Sequence, residues 1–389
     1  MTAPLPKIAI IGGGIGGLTA AIALRKTGHE ATVYERAPAF DEVGAGISMT
    51  PNAVRGLTSL GLGNWLEEVS DEPVEQQLNH WETGDLLQTI DRRETRAKYG
   101  TAYYQLHRAD LLNVLTQTVG QDSCKMGKEL SNIASHAGRV ELDFADGAHV
   151  TADVVIAADG LRSTVRDQLF ETKEPQFGGH VAYRALIPAA ELDSRASEAL
   201  NINHLGPGRN IVSYPVRKGE LVNVVALAKA DGWVEEGWAV RAEKADLRAK
   251  YVDFAPYVQH LIEAMPEEEL FCWGLFVREP LKTWRVGRTV LLGDAAHAML
   301  PYLGQGAASS IEDAIVLGRA FAECADVDEA LDCYVATRIE RAAMMQRESN
   351  LGGERLQSVD PEIFRTQRFD EDYLEMFTYD PVSVPLTRE

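Results

Sequence analysis

The chain has 389 residues, long for one compact core, and typical domain sizes divide it into two or three units. Its composition, 45% hydrophobic and 25% charged, is that of an ordinary globular protein, but 38 Lys and Arg against 58 Asp and Glu leave a net charge of −20. Such a surface repels phosphate backbones and anionic lipid, which argues against nucleic acid and membrane partners; any anionic ligand must be captured by local arginines or backbone dipoles.

Ile8 to Leu24 holds 17 uncharged residues behind Lys7 and superficially resembles a leader or a short membrane span. Five glycines between Gly12 and Gly17 break that reading, because they disrupt a hydrophobic helix. No other stretch approaches the roughly 20 apolar residues a span requires, so a cytoplasmic chain is expected. The segment is better read as a unit. Lys7 to Ile11 is a short β-branched run suited to a buried strand, residues 16 to 27 are helical up to Gly28, and Ala31 to Glu35 is a second strand. This is a minimal βαβ unit, which implies parallel strands and a right-handed crossover.

Further along, Pro51 to Val69 reads as a helix with proline at its start, and residues 71 to 98 read as polar and irregular. His107-Arg108-Ala109-Asp110 leads into an apolar helix ending near Val119, and a hairpin turns at Asp146-Gly147 between Arg139–Phe144 and a strand starting at His149. Val154 to Ala158 is another buried strand, ending at Asp159-Gly160. From Gly178 to Lys229 the texture becomes that of antiparallel strands, at His180–Ile187, Asn210–Val216 and Leu221–Lys229, followed by helical stretches around 240–265. The α/β texture returns at Thr289 to Leu292, then a long helical region runs from Gln305 to Arg347, and the residues after Leu351 are poorly patterned. The expected fold class is α/β: a discontinuous Rossmann-like dinucleotide domain (1–73, 98–176, 277–350) interrupted by a β-rich second domain (74–97, 177–276), with 351–389 as a C-terminal extension. Cys124, Cys272, Cys324 and Cys333 form no CxxC pair and no histidine stands at metal-ligand spacing, so reduced thiols and no metal are expected.

Gly12-Gly13-Gly14-Ile15-Gly16-Gly17 matches G-x-G-x-x-G, a weak signal alone. Here it follows a strand, opens a helix at Ile15, and is followed by Glu35 at the end of the second strand, the context in which each part has a task. Gly12 permits the tight turn, Gly14 lets a pyrophosphate approach the backbone, Gly17 allows close helix–strand packing, and Glu35 can accept from a ribose diol. The helix start offers free N–H groups and positive dipole to the phosphates.

Two more motifs join this one. Asp153 to Arg166 contains Asp159-Gly160 and resembles a "DG" motif; Arg288 to His297 contains Gly293-Asp294 and resembles a "GD" motif. With the N-terminal fingerprint, in this order and spacing from residue 8 to 313, the chain resembles the group A flavoprotein monooxygenases, single-component FAD-dependent aromatic hydroxylases of the para-hydroxybenzoate-hydroxylase fold. The resemblance implies bound FAD, NADH or NADPH as transient co-substrate, O2, and hydroxylation of an electron-rich ring through a flavin C4a-hydroperoxide. It assigns Glu35 and Arg36 to the FAD ribose, Arg108 to the FAD chain, Leu130 to the adenine, Asp159 to the cofactor and Asp294 to a ribityl hydroxyl. Pro301-Tyr302-Leu303-Gly304-Gln305-Gly306 matches the Pro-x-x-Gly-x-Gly loop, so the N–H groups of Gly304, Gln305, Gly306 and Ala307 would face the flavin pyrimidine edge. Gly44-Ala45-Gly46-Ile47 resembles the mobile loop beside the isoalloxazine. His297 reads equally as an interior histidine and as a catalytic one.

On the substrate side the chain resembles the branch holding salicylate hydroxylase, 3-hydroxybenzoate 6-hydroxylase and 6-hydroxynicotinate 3-monooxygenase. Tyr214 is expected to bond or activate a ring hydroxyl, with Tyr103, Tyr183, Arg184, Ser48 and Pro301 lining the pocket; cross-strand packing is the competing reading for Tyr183 and Tyr214. Ser48 stands where the hydroxynicotinate enzymes carry a catalytic histidine, and Asn210 where the 3-hydroxybenzoate enzymes carry one. By elimination a salicylate-like aromatic carboxylate is the leading substrate, with possible loss of CO2. The halogenase signature Trp-x-Trp-x-Ile-Pro is absent, since no two tryptophans stand two apart. An oxidase, a non-catalytic flavin-bound module, and a monomer or homodimer remain open alternatives.

Overall fold

The computed structural model describes residues 5–40, 45–170, 173–192, 200–233, 240–367, 372 and 374–388. Gly44, at the head of the expected mobile loop, lies outside them. Two sheets dominate. The first has six strands in the order Arg285–Val286, Thr289–Leu291, Val154–Ala157, Ile8–Ile11, Ala31–Tyr34 and Cys124–Lys125. All neighbours are parallel except the Arg285–Val286 edge. Its central strands are buried along their whole length, as continuous apolar β-branched runs require when helices cover both faces.

The register of this sheet sets up the site. Ile11 lies level with Ala157 and with Tyr34, and Ala157 level with Leu291. The loops at Gly12, Glu35, Ala158 and Leu292 therefore leave the carboxyl edge side by side, where open α/β sheets bind their ligands.

The second sheet has eight strands in the order Val240–Arg241, Phe271–Val277, Gln176–Pro188, Leu221–Lys229, Arg209–Val216, Leu200–Gly206, Glu75–His80 and Leu86–Asp91. Its two faces follow strand alternation. Val181, Tyr183, Ala185, Ile211, Val222 and Val224 pack on one face against the helices Lys244–Tyr251 and Pro256–Ala264. Ala182, Leu227, Leu275, Val225 and Trp273 lie on the other, against Leu300 and Tyr302 from the loop beyond the first sheet.

Four expectations need correction. Residues 71–98 are not irregular: Glu75–His80 and Leu86–Asp91 form an antiparallel hairpin, and the first pairs in parallel with Leu200–Gly206. Tertiary pairing overrides the polar composition, because one face of an edge hairpin is wetted. Pro51 to Val69 is two helices, Pro51–Ser59 and Gly63–Val69, broken where Gly61 adopts φ 94°. The long helical region is likewise two helices, Gly306–Glu323 and Val327–Leu356, with Asp326 capping the second through Glu329 N. That second helix continues past Leu351, and the Pro361–Arg365 turn follows it.

Candidate functional site

Gly12 has φ +103°, and a Cβ there would lie 2.3 Å from Ala158 O. A Cβ on Gly17 would lie 2.1 Å from Gly12 O, so the helix Ile15–Lys26 can only approach the turn as glycine. At Gly14 a Cβ would meet nothing within 4 Å. The space above Gly14 is thus open while its neighbours are closed, and the helix start there has no side-chain cap. That is the cradle a pyrophosphate needs, with no side chain capping its N–H groups among the described residues.

Glu35 is aimed by its own backbone: its carboxylate accepts from Gly13 N at 2.7 Å and Ala37 N at 2.8 Å. Its remaining lone pairs are free to accept from a ribose diol. Arg36 is exposed. Leu130 is buried, opposite Phe144, whose ring stacks on Tyr34 just before Glu35.

The DG and GD motifs meet at this edge. Asp159 accepts from Val165 N at 3.2 Å, but its second oxygen, Oδ1, is buried with no partner, and burial pushes its carboxyl above the ordinary range. Asp294 is also raised by burial, opposed by the nearby charges of His297, Arg108 and Arg166. Arg166, 1% exposed, joins the two motifs by donating to Leu161 O at 2.5 Å and Ala295 O at 2.9 Å. Gly306 opens the Gly306–Glu323 helix without a side-chain cap, and a Cβ on it would approach Asp294 Oδ1 at 4.0 Å. Gln305 is buried and tied to Asn52 and Thr50, both at 3.1 Å, while Ala307 and the Pro301–Leu303 turn are more open. An open phosphate cradle, two uncapped helix starts and an orphaned buried carboxylate oxygen fit FAD. The cofactor supplies the redox and oxygen chemistry that protein side chains lack.

Of the residues expected to bind the ring, Tyr214 and Arg184 lie on one face of the eight-stranded sheet, with Ser48 and Tyr103 beside Tyr214. Tyr214 is buried, and its side chain is hydrogen-bonded to Ser48 and close to Tyr103; burial, reinforced by Tyr103, pushes its phenol well above 10. Gly46 lies against it: a Cβ there would sit 2.7 Å from the Tyr214 ring and 2.6 Å from Asn223. Asn223 Oδ1 accepts from Gly46 N at 2.7 Å. The strand Gly46–Met49, which carries Ile47, is therefore fastened to the second sheet at two points, Asn223 and Tyr214. Ser48 also faces the Gly304 turn, at 4.0 Å from its Cβ position. Tyr103 OH accepts from Gln76 Nε2 at 3.3 Å, and Arg92 stacks 4.9 Å above its ring. Arg184 lies 5.1 Å over Trp273, on the face shared with Leu300 and Tyr302.

Tyr183 is a correction. Strand alternation turns it to the opposite face, into the cluster with Leu247, Tyr251 and Cys272, so cross-strand packing is its role. Gln76, Arg92 and Asn223 had no sequence motif to mark them, and Tyr302 stood in the Pro301–Gly306 motif only as a variable position; hairpin pairing and loop docking bring them in. His297 is interior: 1% exposed, with Nε2 at 2.6 Å from Asp313. Asp313 also accepts from Gly293 N at 3.0 Å and Arg338 Nε at 2.8 Å. Despite burial, which raises it, His297 and Arg338 hold that carboxyl down at about 2. The GD turn is thus clamped from the helix behind it.

Residues 6–349 match the family described as "FAD binding domain". The chain is 34% identical over 387 residues to 6-hydroxynicotinate 3-monooxygenase of Pseudomonas fluorescens, covering 98% of this chain and 97% of that protein. Salicylate hydroxylase of Pseudomonas putida is 32% identical over 392 residues, with 92% and 87% covered. Among solved structures, Klebsiella pneumoniae HpxO in complex with FAD and uric acid superimposes with a TM-score of 0.85 at 28% identity, covering 96% of each chain. The chain belongs to this FAD binding domain family and is a FAD-dependent aromatic monooxygenase of the group A flavoprotein hydroxylases, with NADH or NADPH as its co-substrate.

Proposed function

We propose that the enzyme hydroxylates a small ortho-hydroxylated aromatic carboxylate of the salicylate type, held between the Gly46–Met49 strand and the open face of the eight-stranded sheet. One observation carries this reading: a buried tyrosine, Tyr214, stands beside the Gly46–Met49 strand on the face that also bears Arg184. Because its phenol is pushed well above 10, Tyr214 stays protonated at neutral pH. It then donates a hydrogen bond to the ring oxygen and stabilises the phenolate character that makes the ring nucleophilic. Ser48, its partner, receives or releases that bond as the ring oxygen arrives. Arg184 offers the cation for the carboxylate, and Trp273, Val225 and Leu227 supply the apolar wall that excludes water.

Tyr103, Tyr302 and Pro301 close the remaining sides in this reading. Residues 1–73, 98–176 and 277–350 form the FAD-binding unit, and 74–97 with 177–276 the substrate unit.

A second reading, hydroxylation of 6-hydroxynicotinate, is favoured by the 34% identity over nearly the whole chain. Against it stands Ser48, which cannot act as the imidazole base of that group. The deciding experiment follows NADH and NADPH oxidation, O2 uptake and product mass with salicylate, 3-hydroxybenzoate, 6-hydroxynicotinate and 3-amino-4-hydroxybenzoate. Coupled product from salicylate, with or without loss of CO2, is expected. Coupled turnover of 6-hydroxynicotinate alone would replace the salicylate reading.

A further inference from the structure

We propose that Cys324, Glu329 and Cys333 form a binding site for a thiophilic divalent cation of the Zn2+ class, at the joint between the helices Gly306–Glu323 and Val327–Leu356. One donor atom of each residue lies within 4.8 Å of the other two. The two thiols are already hydrogen-bonded to each other. A tetrahedral Zn2+ with Zn–S of about 2.3 Å and Zn–O of about 2.1 Å needs donors roughly 3.3–3.8 Å apart, so ångström-scale closure completes the site.

The local fold holds the ligands in place. Glu329 and Cys333 are four apart on one helix and share a face. Cys324 is brought over them by the tight Ala325-Asp326 turn, in which Glu329 N donates to Asp326 Oδ1 at 2.9 Å. Ala325 N donates to Glu329 Oε2 at 2.8 Å, orienting the carboxylate as bonded metal carboxylates are oriented. Cys333 is buried and Cys324 half-buried, so the open side can admit a water as fourth ligand. Arg388 Nη1, 3.9 Å from Glu329 Oε1, offsets the anionic donor set, and the net charge of −20 draws cations to the surface.

Binding exchanges the S–H bonds of the two thiols for two Zn–S bonds and releases the protons to solvent, with no change of oxidation state. The cation would staple the joint of two helices whose other ends flank the Pro301–Leu303 turn, Gly306 just after it and Gly352 packed on Tyr302. The sequence hid these donors because they follow no CxxC or His spacing.

The test is equilibrium dialysis of reduced, desalted holoenzyme against Zn2+, with 113Cd NMR as a second readout. One equivalent per chain is expected, with a cadmium shift in the thiolate range and an affinity that rises with pH as thiol protons are displaced. Cys324→Ser and Glu329→Gln should each weaken binding by about 10-fold or more, while FAD content and NADH oxidation stay at wild-type level. Cys333 is core-facing, so the two more exposed positions keep the test valid if its serine variant fails to fold. Retention unchanged by Cys324→Ser, pH-independent uptake marking surface carboxylates alone, or a Cys324–Cys333 disulfide with no uptake by the reduced protein would each overturn the proposal.

Discussion

Single residues set what the site can hold. Gly14 and Gly17 differ only in what a side chain would meet, open space at one and Gly12 O at 2.1 Å at the other. Gly14→Ala should fold with an unchanged Tm as apoprotein but lose FAD affinity. Gly17→Ala should lower the Tm as well, because helix and turn must part; FAD titration and differential scanning of both apoproteins separate the two effects. In the proposed pocket, Tyr214→Phe would remove one donor to the developing phenolate and should lower kcat about 100-fold with FAD retained. Arg184→Met should instead raise KM with kcat little changed, as expected for a contact made equally in ground and transition states; steady-state kinetics distinguish the two. An unchanged KM would remove Arg184 from the site.

At the scale of elements, two joints deserve test. The Gly46–Met49 strand reaches the substrate sheet through Asn223 and Tyr214, so Asn223→Leu should loosen the strand that carries Gly46 and Ile47. Faster amide exchange at Gly46, with Tyr214 and the folded core unaltered, is the expected signature. The other joint is the buried group of Asp313, His297 and Arg338 between the Gly306–Glu323 and Val327–Leu356 helices. Asp313 titrates near 2 in the folded protein and near 3.8 when unfolded, so its contribution is fully present above pH 4 and is lost as pH falls from about 4 to 2. That amounts to on the order of 2 kcal/mol. Acid unfolding of Asp313→Asn should lack this steep component, although the variant starts less stable because buried Arg338 keeps only Glu312 of its two carboxylate partners.

Across the whole molecule, the net charge does not decide ligand binding. FAD's phosphates would meet an uncapped helix start and Arg108 rather than the average surface, and among the described residues no helix is long and apolar enough to cross a membrane. The βαβ start, the Asp159-Gly160 and Gly293-Asp294 turns and the Pro301–Gly306 loop could be read directly from the chain. Each is a local rule: a buried parallel strand must be continuously apolar, and a phosphate-binding turn must be glycine. The second sheet was legible only where its strands are apolar. The hairpin at Glu75–Asp91 escaped because its polar residues face water and its partner lies more than a hundred residues away. For the same reason no local rule could place Tyr183 on the helix-covered face and Tyr214 on the open one, or bring Asn223 to Gly46 and Cys324 to Cys333. The sequence by itself determined the FAD-binding apparatus and the reaction class, since these rest on short-range backbone geometry. The tertiary structure alone decided which side chains gather around Tyr214, because strand register and sheet docking join residues that are far apart along the chain.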